Sequence, residues 1–284
     1  MRTPLILDFD GSAGRVPGAI TLALGDWQEA VRYGCGWRTL RGLRELFAAH
    51  LPAVHGTALL GSGDFHHVSL LLVERCATRA PLEVVVFDNH PDNMRFPFGV
   101  HCGSWVRQVT RLPHVAHVHV VGITSADVGP AQSWQNRLLP LYAGRLTYWC
   151  IGADTRWATR LGLGRAVRRF ADAASLLQAL TDRLHGDGPL YVSIDKDVFD
   201  PAVVRTNWDQ GVLREAELLA TLRALAGRIV GSDVTGEVSA YRYRTRWKRW
   251  LSALDAQPAI DPADLAAWQA QQQALNARLL AALA

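Results

Sequence analysis

The segment 190–197 reads Leu-Tyr-Val-Ser-Ile-Asp-Lys-Asp, an apolar run that ends in two carboxylates spaced two residues apart. A second segment, 84–92, reads Val-Val-Val-Phe-Asp-Asn-His-Pro-Asp and ends in a similar way. Because strand side chains alternate between two faces, Asp195 shares a face with Asp197, and Asp88 shares one with His90. A single segment of this kind is also typical of a helix cap or a turn, but two of them in one chain favour a common site.

Apolar runs of strand length alternate with segments of helical spacing along most of the chain. The runs cover 4–9, 57–60, 82–87, 115–121, 146–151, 190–194 and 228–234, and the helical segments include 37–50, 67–78, 173–185 and 214–226. A crossover between parallel strands needs a helix, which then covers the sheet, so the alternation predicts an α/β fold with a three-layer α/β/α architecture and a mostly parallel sheet. Ligands bind such sheets outside the carboxyl ends of the strands, and both acidic segments are therefore expected to open onto one crevice.

Length and composition are those of a globular protein. The chain has 284 residues, 49% of them hydrophobic and 20% charged, and we expect one domain over 1–284. Lys plus Arg exceed Asp plus Glu by 30 − 26 = 4, an excess too small and too scattered to favour nucleic acid as a partner. No apolar stretch approaches the length of a membrane span, so no membrane partner is expected.

Cysteine usage and the first residues favour a cytoplasmic protein. Cys35, Cys76, Cys102 and Cys150 are far apart and form no CxxC pair, which indicates neither a disulfide framework nor a zinc knuckle and fits a reducing compartment. The first ten residues read as a strand rather than as a secretory leader.

The end of the chain is rich in Gln and Ala. Leucines and a tryptophan at 265, 268, 275, 279 and 283 lie on roughly one stripe, which predicts an amphipathic helix over about 262–284 that packs on the domain or on another subunit. The preceding segment, 241–250, interleaves basic and aromatic residues, and we interpret it as a packing or oligomer surface rather than a nucleic-acid interface.

The acidic segments predict a metal site, because carboxylates stacked on one face repel each other unless a cation lies between them. Carboxylates favour hard ions and histidine widens the choice, so Mn²⁺ is the leading candidate, ahead of Mg²⁺ and Zn²⁺. A third segment, 61–67, reads Gly-Ser-Gly-Asp-Phe-His-His after the run at 57–60. Its glycines permit a sharp turn that brings either His66 or His67 to the crevice.

Read in order, these segments resemble the motifs of the ureohydrolase family, which includes arginase, agmatinase and formiminoglutamase. The family's GGDH element resembles Gly-Asp-Phe-His at 63–66, its DAHxD element resembles Asp-Asn-His-Pro-Asp at 88–92, and its SxDxDxxDP element resembles Ser-Ile-Asp-Lys-Asp-Val-Phe-Asp-Pro at 193–201. The resemblance covers about 60–240 and implies an arginase-like fold.

Carried over by position, the resemblance implies two Mn²⁺ ions per chain. Their ligands would be His66, Asp88, His90, Asp92, Asp195 and Asp197. A hydroxide that bridges two ions about 3.5–4 Å apart would attack the central carbon of a small guanidino or amidine compound and hydrolyse a linear C–N bond. The resemblance also implies a homo-oligomer.

Two further residues receive catalytic roles from the resemblance. His101 precedes Cys102-Gly103 and resembles a family histidine that shuttles protons, for which an imidazole is well suited. Glu237 follows Gly236 just past the run at 228–234, in a place similar to that of a family glutamate that holds the substrate's guanidinium. A loop histidine without a role and a surface glutamate are the plain alternatives.

The chain departs from the family motifs at several positions. Phe65 separates Asp64 from His66, so His67 stays an alternative ligand, and Asn89 replaces a small alanine. The segment 94–100 does not reproduce the family's loop for an α-amino acid carboxylate, so the motifs do not name the substrate.

Three other functions are alternatives to this one. Asp8-Phe9-Asp10 after an apolar strand resembles the opening of haloacid-dehalogenase-type phosphatases. A metal-dependent deacetylase of related fold would use similar ligands but normally one metal ion and fewer carboxylates. A noncatalytic interaction protein that retains the fold is the third alternative.

Overall fold

A nine-stranded sheet lies at the centre of the computed structural model, which describes residues 2–76, 78, 80–254 and 260–284. Two further short strands, β3 and β6, pair antiparallel with each other. In chain order the strands are β1 Leu5–Asp8, β2 Ile20–Ala23, β3 Gly34–Gly36, β4 Ala58–Leu59, β5 Leu82–Phe87, β6 Gly99–His101, β7 Val115–Ile123, β8 Leu146–Ile151, β9 Val167–Phe170, β10 Leu190–Asp195 and β11 Ile229–Thr235.

The α-helices of the described residues are α1 Gln28–Val31, α2 Trp37–His50, α3 Ser69–Arg75, α4 Val106–Val109, α5 Leu139–Tyr142, α6 Arg156–Arg160, α7 Ala173–Arg183, α8 Glu215–Leu225, α9 Arg246–Leu254 and α10 Pro262–Leu283. Within the part of the chain that the structure describes, none of these helices combines the length and the apolarity needed to cross a lipid bilayer.

The central sheet has the strand order β2-β1-β4-β11-β10-β5-β7-β8-β9, and every neighbouring pair is parallel. In the middle of the sheet, Ile194 of β10 pairs with Phe87 of β5 on one side and with Val234 of β11 on the other. Because all strands point the same way, the residues that follow β4, β5, β10 and β11 emerge together at one edge.

Helices cover both faces of the sheet. Val84 and Val86 of β5 pack into a core with α2, α3 and α4, whereas the alternate residues Val85 and Phe87 pack into a second core with α7, α8 and α10. Strands buried on both faces are apolar along their whole length, which is why the central strands appear in the sequence as continuous apolar runs. The predicted three-layer α/β/α class with a mostly parallel sheet is confirmed.

The sequence missed the sheet's two edge strands. β2 is largely exposed, and β9 carries Arg168 and Arg169, so neither forms an apolar run. The helix predicted over 67–78 begins later, at Ser69, because 63–68 forms a 3₁₀ helix, and residue 77 of that prediction lies outside the described residues.

The helix at the end of the chain begins at an N-cap and packs on the sheet. The Asp261 carboxylate accepts a hydrogen bond from the Ala263 amide at 2.8 Å, and Pro262 occupies the first turn, where its missing amide hydrogen costs nothing. The buried positions of α10 are Leu275 and Leu279 together with the polar residues Gln272 and Asn276.

Candidate metal centre

The carboxyl edge of the sheet gathers the polar segments of the sequence. Asp88 directly follows β5, Asp195 ends β10, and the 3₁₀ helix Gly63–Val68 follows the strand end after β4. The Ser62 hydroxyl accepts a hydrogen bond from the Asp64 amide at 3.3 Å and so begins that 3₁₀ helix. β10 and β5 are neighbours in the sheet, which brings their two aspartates side by side.

The structure brings His66 into contact with three carboxylates. Its Nδ1 lies 3.1 Å from Asp88 Oδ2, 3.1 Å from Asp92 Oδ2 and 3.4 Å from Asp195 Oδ2. His67 is also buried but belongs to neither group of candidate ligands among the described residues. The tight 3₁₀ turn therefore places the first of the two adjacent histidines in the cluster.

His90 forms a second group with two carboxylates. Its Nδ1 lies 2.9 Å from Asp197 Oδ2 and 3.5 Å from Asp88 Oδ1. In each group, His66 with Asp88 and Asp195 or His90 with Asp88 and Asp197, one ligand atom per residue lies within 4.8 Å of the others. Asp88 belongs to both groups, so one carboxylate joins the two candidate cation positions.

Three of the four buried carboxylates hold protons more tightly than isolated ones. Burial and the charge of Asp88 raise the pKa of Asp92 to about 7 and that of Asp197 to about 6. Burial and the charge of Asp197 raise the pKa of Asp195 well above its ordinary value. Burial also acts to raise the pKa of Asp88, but hydrogen bonds from His66 and His90 outweigh it and lower that pKa.

The two histidines respond in the opposite sense. Burial disfavours the charged ring of His66, yet its hydrogen bonds to Asp88 and Asp92 raise its pKa well above the ordinary value. His90 behaves likewise, because the charge of Asp197 outweighs the effect of burial. The cluster thus draws positive charge, which a divalent cation supplies more compactly than protons do.

The donor set fits a divalent cation. It consists of four buried aspartates and two imidazole nitrogens, a mixture of oxygen and nitrogen ligands that binds divalent metal ions. On its outer side the His66 ring is also held, because its Nε2 lies 2.9 Å from Ser193 Oγ, which donates to Asp233 Oδ1 at 2.7 Å. Partners of this kind fix the ring orientation of a metal-binding histidine.

Two backbone features support the cluster. Asp92 has a φ of 45°, a left-handed conformation that is uncommon for a residue other than glycine, and its Oδ2 accepts a hydrogen bond from Trp105 Nε1 at 2.7 Å. Gly236 has a φ of 89°, and a Cβ at this position would collide with Asp195 Oδ1. A side chain at 236 would therefore displace one of the candidate ligands.

The cluster forms the floor of a cavity of about 700 Å³. His101, Cys102, Asp127, Trp208 and Asp209 are among the residues that line its walls, and Trp268 of α10 reaches its rim. Of the residues to which the sequence assigns catalytic roles, His101 lines this cavity and Glu237 does not.

The short β3–β6 sheet positions His101. His101 ends β6 and pairs with Gly34 of β3, where a Cβ would lie 2.5 Å from the His101 Cβ. The Gly103 amide donates to His101 Nδ1 at 3.1 Å, which leaves Nε2 to carry the proton of the neutral ring. Burial lowers the pKa of His101 to about 4, so this ring is neutral at pH 7.

Glu237 lies in a buried ion pair instead. Its Oε1 accepts hydrogen bonds from Lys196 Nζ at 2.6 Å and from Asn276 Nδ2 at 2.8 Å, and both charged side chains are fully buried. Burial lowers the pKa of Lys196, while the charge of Glu237 opposes that shift. The negative charge of Glu237 is thus compensated within the protein.

The aspartates of the phosphatase alternative also have partners inside the protein. Asp10 Oδ2 lies 3.1 Å from Arg32 Nη1, and the same guanidinium contacts Asp64 Oδ2 at 2.7 Å. Asp8 Oδ1 accepts a hydrogen bond from the Gly11 amide at 2.8 Å. These contacts indicate a structural role for the segment 8–10.

Sequence reasoning missed several residues of the cavity wall, including Tyr33, Asp127 and Asp209. Asp209 Oδ1 lies 2.7 Å from His90 Nε2, but it belongs to a polar loop that no motif marks. The only sequence signal was the presence of Asn89 where the family motif has a small residue, and Asn89 contacts this aspartate.

Comparisons with known proteins identify the fold. No protein-family model matches the chain. An uncharacterized protein of Thermotoga maritima is 29% identical over 199 residues, a stretch that covers 70% of this chain and 63% of that relative, which is less than two thirds of its length.

Three solved structures are similar over nearly the whole chain. Proclavaminate amidino hydrolase from Streptomyces clavuligerus aligns with a TM-score of 0.56 and 20% identity, covering 99% of this chain and 92% of that one. Agmatine ureohydrolase of Thermoplasma volcanium aligns with a TM-score of 0.54 and 13% identity, covering 94% of this chain and 73% of that one. Arginase from Bacillus caldovelox aligns with a TM-score of 0.53 and 13% identity, covering 100% of this chain and 98% of that one. This chain therefore has the arginase-like α/β/α fold.

Proposed function

We propose that this chain is a ureohydrolase-like, metal-dependent hydrolase that cleaves linear C–N bonds in a guanidino or amidine compound. One observation carries the proposal: two groups of His and Asp ligand atoms, buried except for His90, share Asp88 on the floor of a cavity that His101 also lines. The fold agrees with it, because the similar structures include an amidino hydrolase, an agmatine ureohydrolase and an arginase.

The proposed cofactor is a pair of Mn²⁺ ions. The ligands would be His66, Asp88, Asp92 and Asp195 for one ion, and Asp88, His90 and Asp197 for the other. When bound, such ions lower the pKa of water to about 7 and polarise the group under attack. The four buried carboxylates would balance the four positive charges of the two ions, so the floor of the cavity would not repel a planar cation in the space above it.

His101 is the proposed proton carrier. Its Nδ1 accepts a hydrogen bond from the Gly103 amide, so proton exchange with the cavity takes place at Nε2. The neighbouring rings of Tyr33 and Phe96, with centroids 6.1 Å and 4.7 Å from that of His101, restrict its motion. We assign Glu237 no contact with the substrate, because its carboxylate is paired with Lys196 outside the cavity wall.

The test combines a metal count with a substrate screen. Protein loaded with Mn²⁺ would be assayed with arginine, agmatine, guanidinobutyrate, guanidinopropionate, formiminoglutamate and guanidine, and the products scored as urea, formamide and ammonia. The proposal expects about two ions per chain and one productive substrate. One ion per chain with release of acetate from acetylated amines would instead support a deacetylase, and the absence of bound Mn²⁺ would support a noncatalytic protein.

Assembly belongs to the same proposal. We expect a homo-oligomer, with the exposed tryptophans Trp247 and Trp250 of α9 as candidate contact residues. Light scattering after size-exclusion chromatography measures the mass directly, and a monomer at micromolar concentration would contradict this part.

A further inference from the structure

We propose that Asp209 is the positioning residue of His90 and that Asn89 is the clamp that holds Asp209 in place. The inference rests on the proposed function, since it concerns how the ligand of a cation is oriented. It goes beyond the motifs, because Asp209 lies in none of them and Asn89 is one of the chain's departures.

The His90 ring lies between inner and outer carboxylates. Its Nδ1 faces Asp197 Oδ2 at 2.9 Å and Asp88 Oδ1 at 3.5 Å, and its Nε2 faces Asp209 Oδ1 at 2.7 Å. The carboxylate on the outer side belongs to the loop 205–210, which forms part of the cavity wall. The ring is therefore held from both ends.

An ionised carboxylate only accepts hydrogen bonds, so the contact with Asp209 requires a hydrogen on His90 Nε2. In the neutral ring the lone pair is then on Nδ1, directed at the space between Asp88 and Asp197. This tautomer is the one that a cation in the second ligand group needs. A carboxylate on the outer nitrogen also makes the inner nitrogen a stronger ligand.

The side chain of Asp209 is 64% exposed, so a fixed orientation requires a neighbouring residue that holds it. Asn89 is that residue: its Nδ2 donates to the backbone oxygen of Asp209 at 3.0 Å and to Asp209 Oδ2 at 3.1 Å. Asn89 is itself fixed, since its Oδ1 accepts hydrogen bonds from the amide and the hydroxyl of Thr124 at 3.1 Å and 2.6 Å. An alanine at 89 could make none of these contacts.

The loop that carries Asp209 is anchored at its C-terminal end. The Gly211 amide donates to the backbone oxygen of Asp197 at 2.6 Å, and the Gln210 side chain donates to the backbone oxygens of Phe199 and Val204 at 3.2 Å and 2.8 Å. A restrained loop loses less conformational entropy when it holds the ring in one orientation.

The alternative role for an exposed aspartate at a cavity wall is to bind a cationic substrate. Asp209 is poorly placed for that role, because its Oδ1 contacts His90 and its Oδ2 contacts Asn89. Both oxygens are therefore engaged within the protein, which favours the positioning role.

The experiment compares the wild-type protein with Asp209→Asn and with Asp187→Asn as a matched control. Asp187 is exposed and precedes β10 at the opposite edge of the sheet. The control substitution therefore removes one negative charge at a position that does not contact the site. Mn²⁺ binding would be followed by electron paramagnetic resonance, and the protonated nitrogen of His90 would be identified by ¹⁵N NMR of the Zn²⁺-loaded protein.

We expect Asp209→Asn to weaken one of two Mn²⁺ sites by about 10- to 100-fold while the other keeps its affinity, and the single Nε2–H tautomer of His90 to be lost. Asp209→Glu should restore part of the affinity, and Asp187→Asn should match the wild type. Two unchanged sites in Asp209→Asn, or equal weakening of both, would overturn the inference and leave the proposed function standing. A wild-type protein that binds no Mn²⁺ would overturn both.

Discussion

Asp88 carries more of the candidate site than any other single residue, because its two oxygens face different histidines. Oδ2 lies 3.1 Å from His66 Nδ1, while Oδ1 lies 3.5 Å from His90 Nδ1 and accepts the His90 amide at 2.6 Å. Loss of Asp88 would therefore affect both ligand groups at once. Loss of Asp197 affects only the group that contains His90, so this substitution distinguishes the two ligand groups.

Asp197→Ala is expected to remove metal and abolish turnover. The substitution deletes a buried carboxylate that contacts His90 Nδ1 at 2.9 Å and leaves that group with two donors. Elemental analysis of the purified variant against wild type gives the Mn²⁺ content, and we expect at least one ion fewer per chain. Unchanged Mn²⁺ content would contradict the ligand assignment.

His101→Ala is expected to keep the metal and lose rate. His101 lines the cavity but belongs to neither ligand group, and general acid–base catalysis by such a ring contributes about 10²- to 10⁴-fold. The measurement is kcat with Mn²⁺-loaded protein, alongside the metal count. Equal activity in the variant would remove His101 from the mechanism, and loss of metal would give it a different role.

Sequence motifs predicted which residues would meet at this edge but not how each would be held. Spacing within strand ends is enough to bring Asp88 and Asp195 together, because neighbouring parallel strands fix their relative height. The choice between His66 and His67 depended on a 3₁₀ turn that the sequence does not reveal. The role that the resemblance implies for Glu237 did not anticipate its ion pair with Lys196, which is distant in sequence.

At the scale of elements, prediction succeeded where burial on both faces left a clear pattern. β5, β8 and α2 begin and end at the residues predicted from the apolar runs and from helical spacing. The edge strands β2 and β9 were missed because each has a neighbouring strand on one side only. The side that is open to solvent permits polar residues. Burial, more than intrinsic propensity, thus determines what the sequence reveals.

The segment before α9 is held to α1 by Glu29, and this contact predicts a dependence on pH. Its carboxylate accepts hydrogen bonds from the Tyr241 hydroxyl and from the amide and hydroxyl of Thr245 at 2.8 Å, 2.9 Å and 2.6 Å. Burial opposes the shift, but these bonds lower the pKa of Glu29 from 4.5 to about 2. The stabilisation is present above the unfolded value of 4.5 and is lost as the pH falls through 2.

Glu29→Gln is therefore expected to lower the free energy of unfolding at pH 7 and to lower it less at pH 3. Urea denaturation at the two pH values measures the difference. The exposed Glu45→Gln on α2 serves as the control, since it removes a carboxylate without this set of contacts. A deficit in Glu29→Gln that is the same at both pH values would contradict the role of the ionised carboxylate.

At the scale of the whole molecule, one buried pair joins three elements behind the candidate site. Lys196 follows β10, Glu237 follows β11, and Asn276 on α10 donates to the same Glu237 oxygen that Lys196 contacts. Gln272 of α10 adds hydrogen bonds to the Val238 amide and to the backbone oxygen of Gly236. The last helix thereby supports the backbone next to the candidate ligands from outside the cavity.

This pair predicts strong coupling between two substitutions. Lys196→Met or Glu237→Gln alone leaves one charge buried without its partner, and each is expected to cost about 3–5 kcal/mol in the free energy of unfolding. The double variant removes both charges and is expected to cost clearly less than the sum, with a coupling of about 0.5–3 kcal/mol. Denaturant unfolding of the wild type, the two single variants and the double variant measures the coupling free energy. Additive costs would show that the two side chains do not depend on each other.

The same double variant also tests whether Glu237 binds substrate. If the variant is stable and loaded with metal but has lost affinity for substrate, the carboxylate of Glu237 contributes to substrate binding as well as to the ion pair with Lys196.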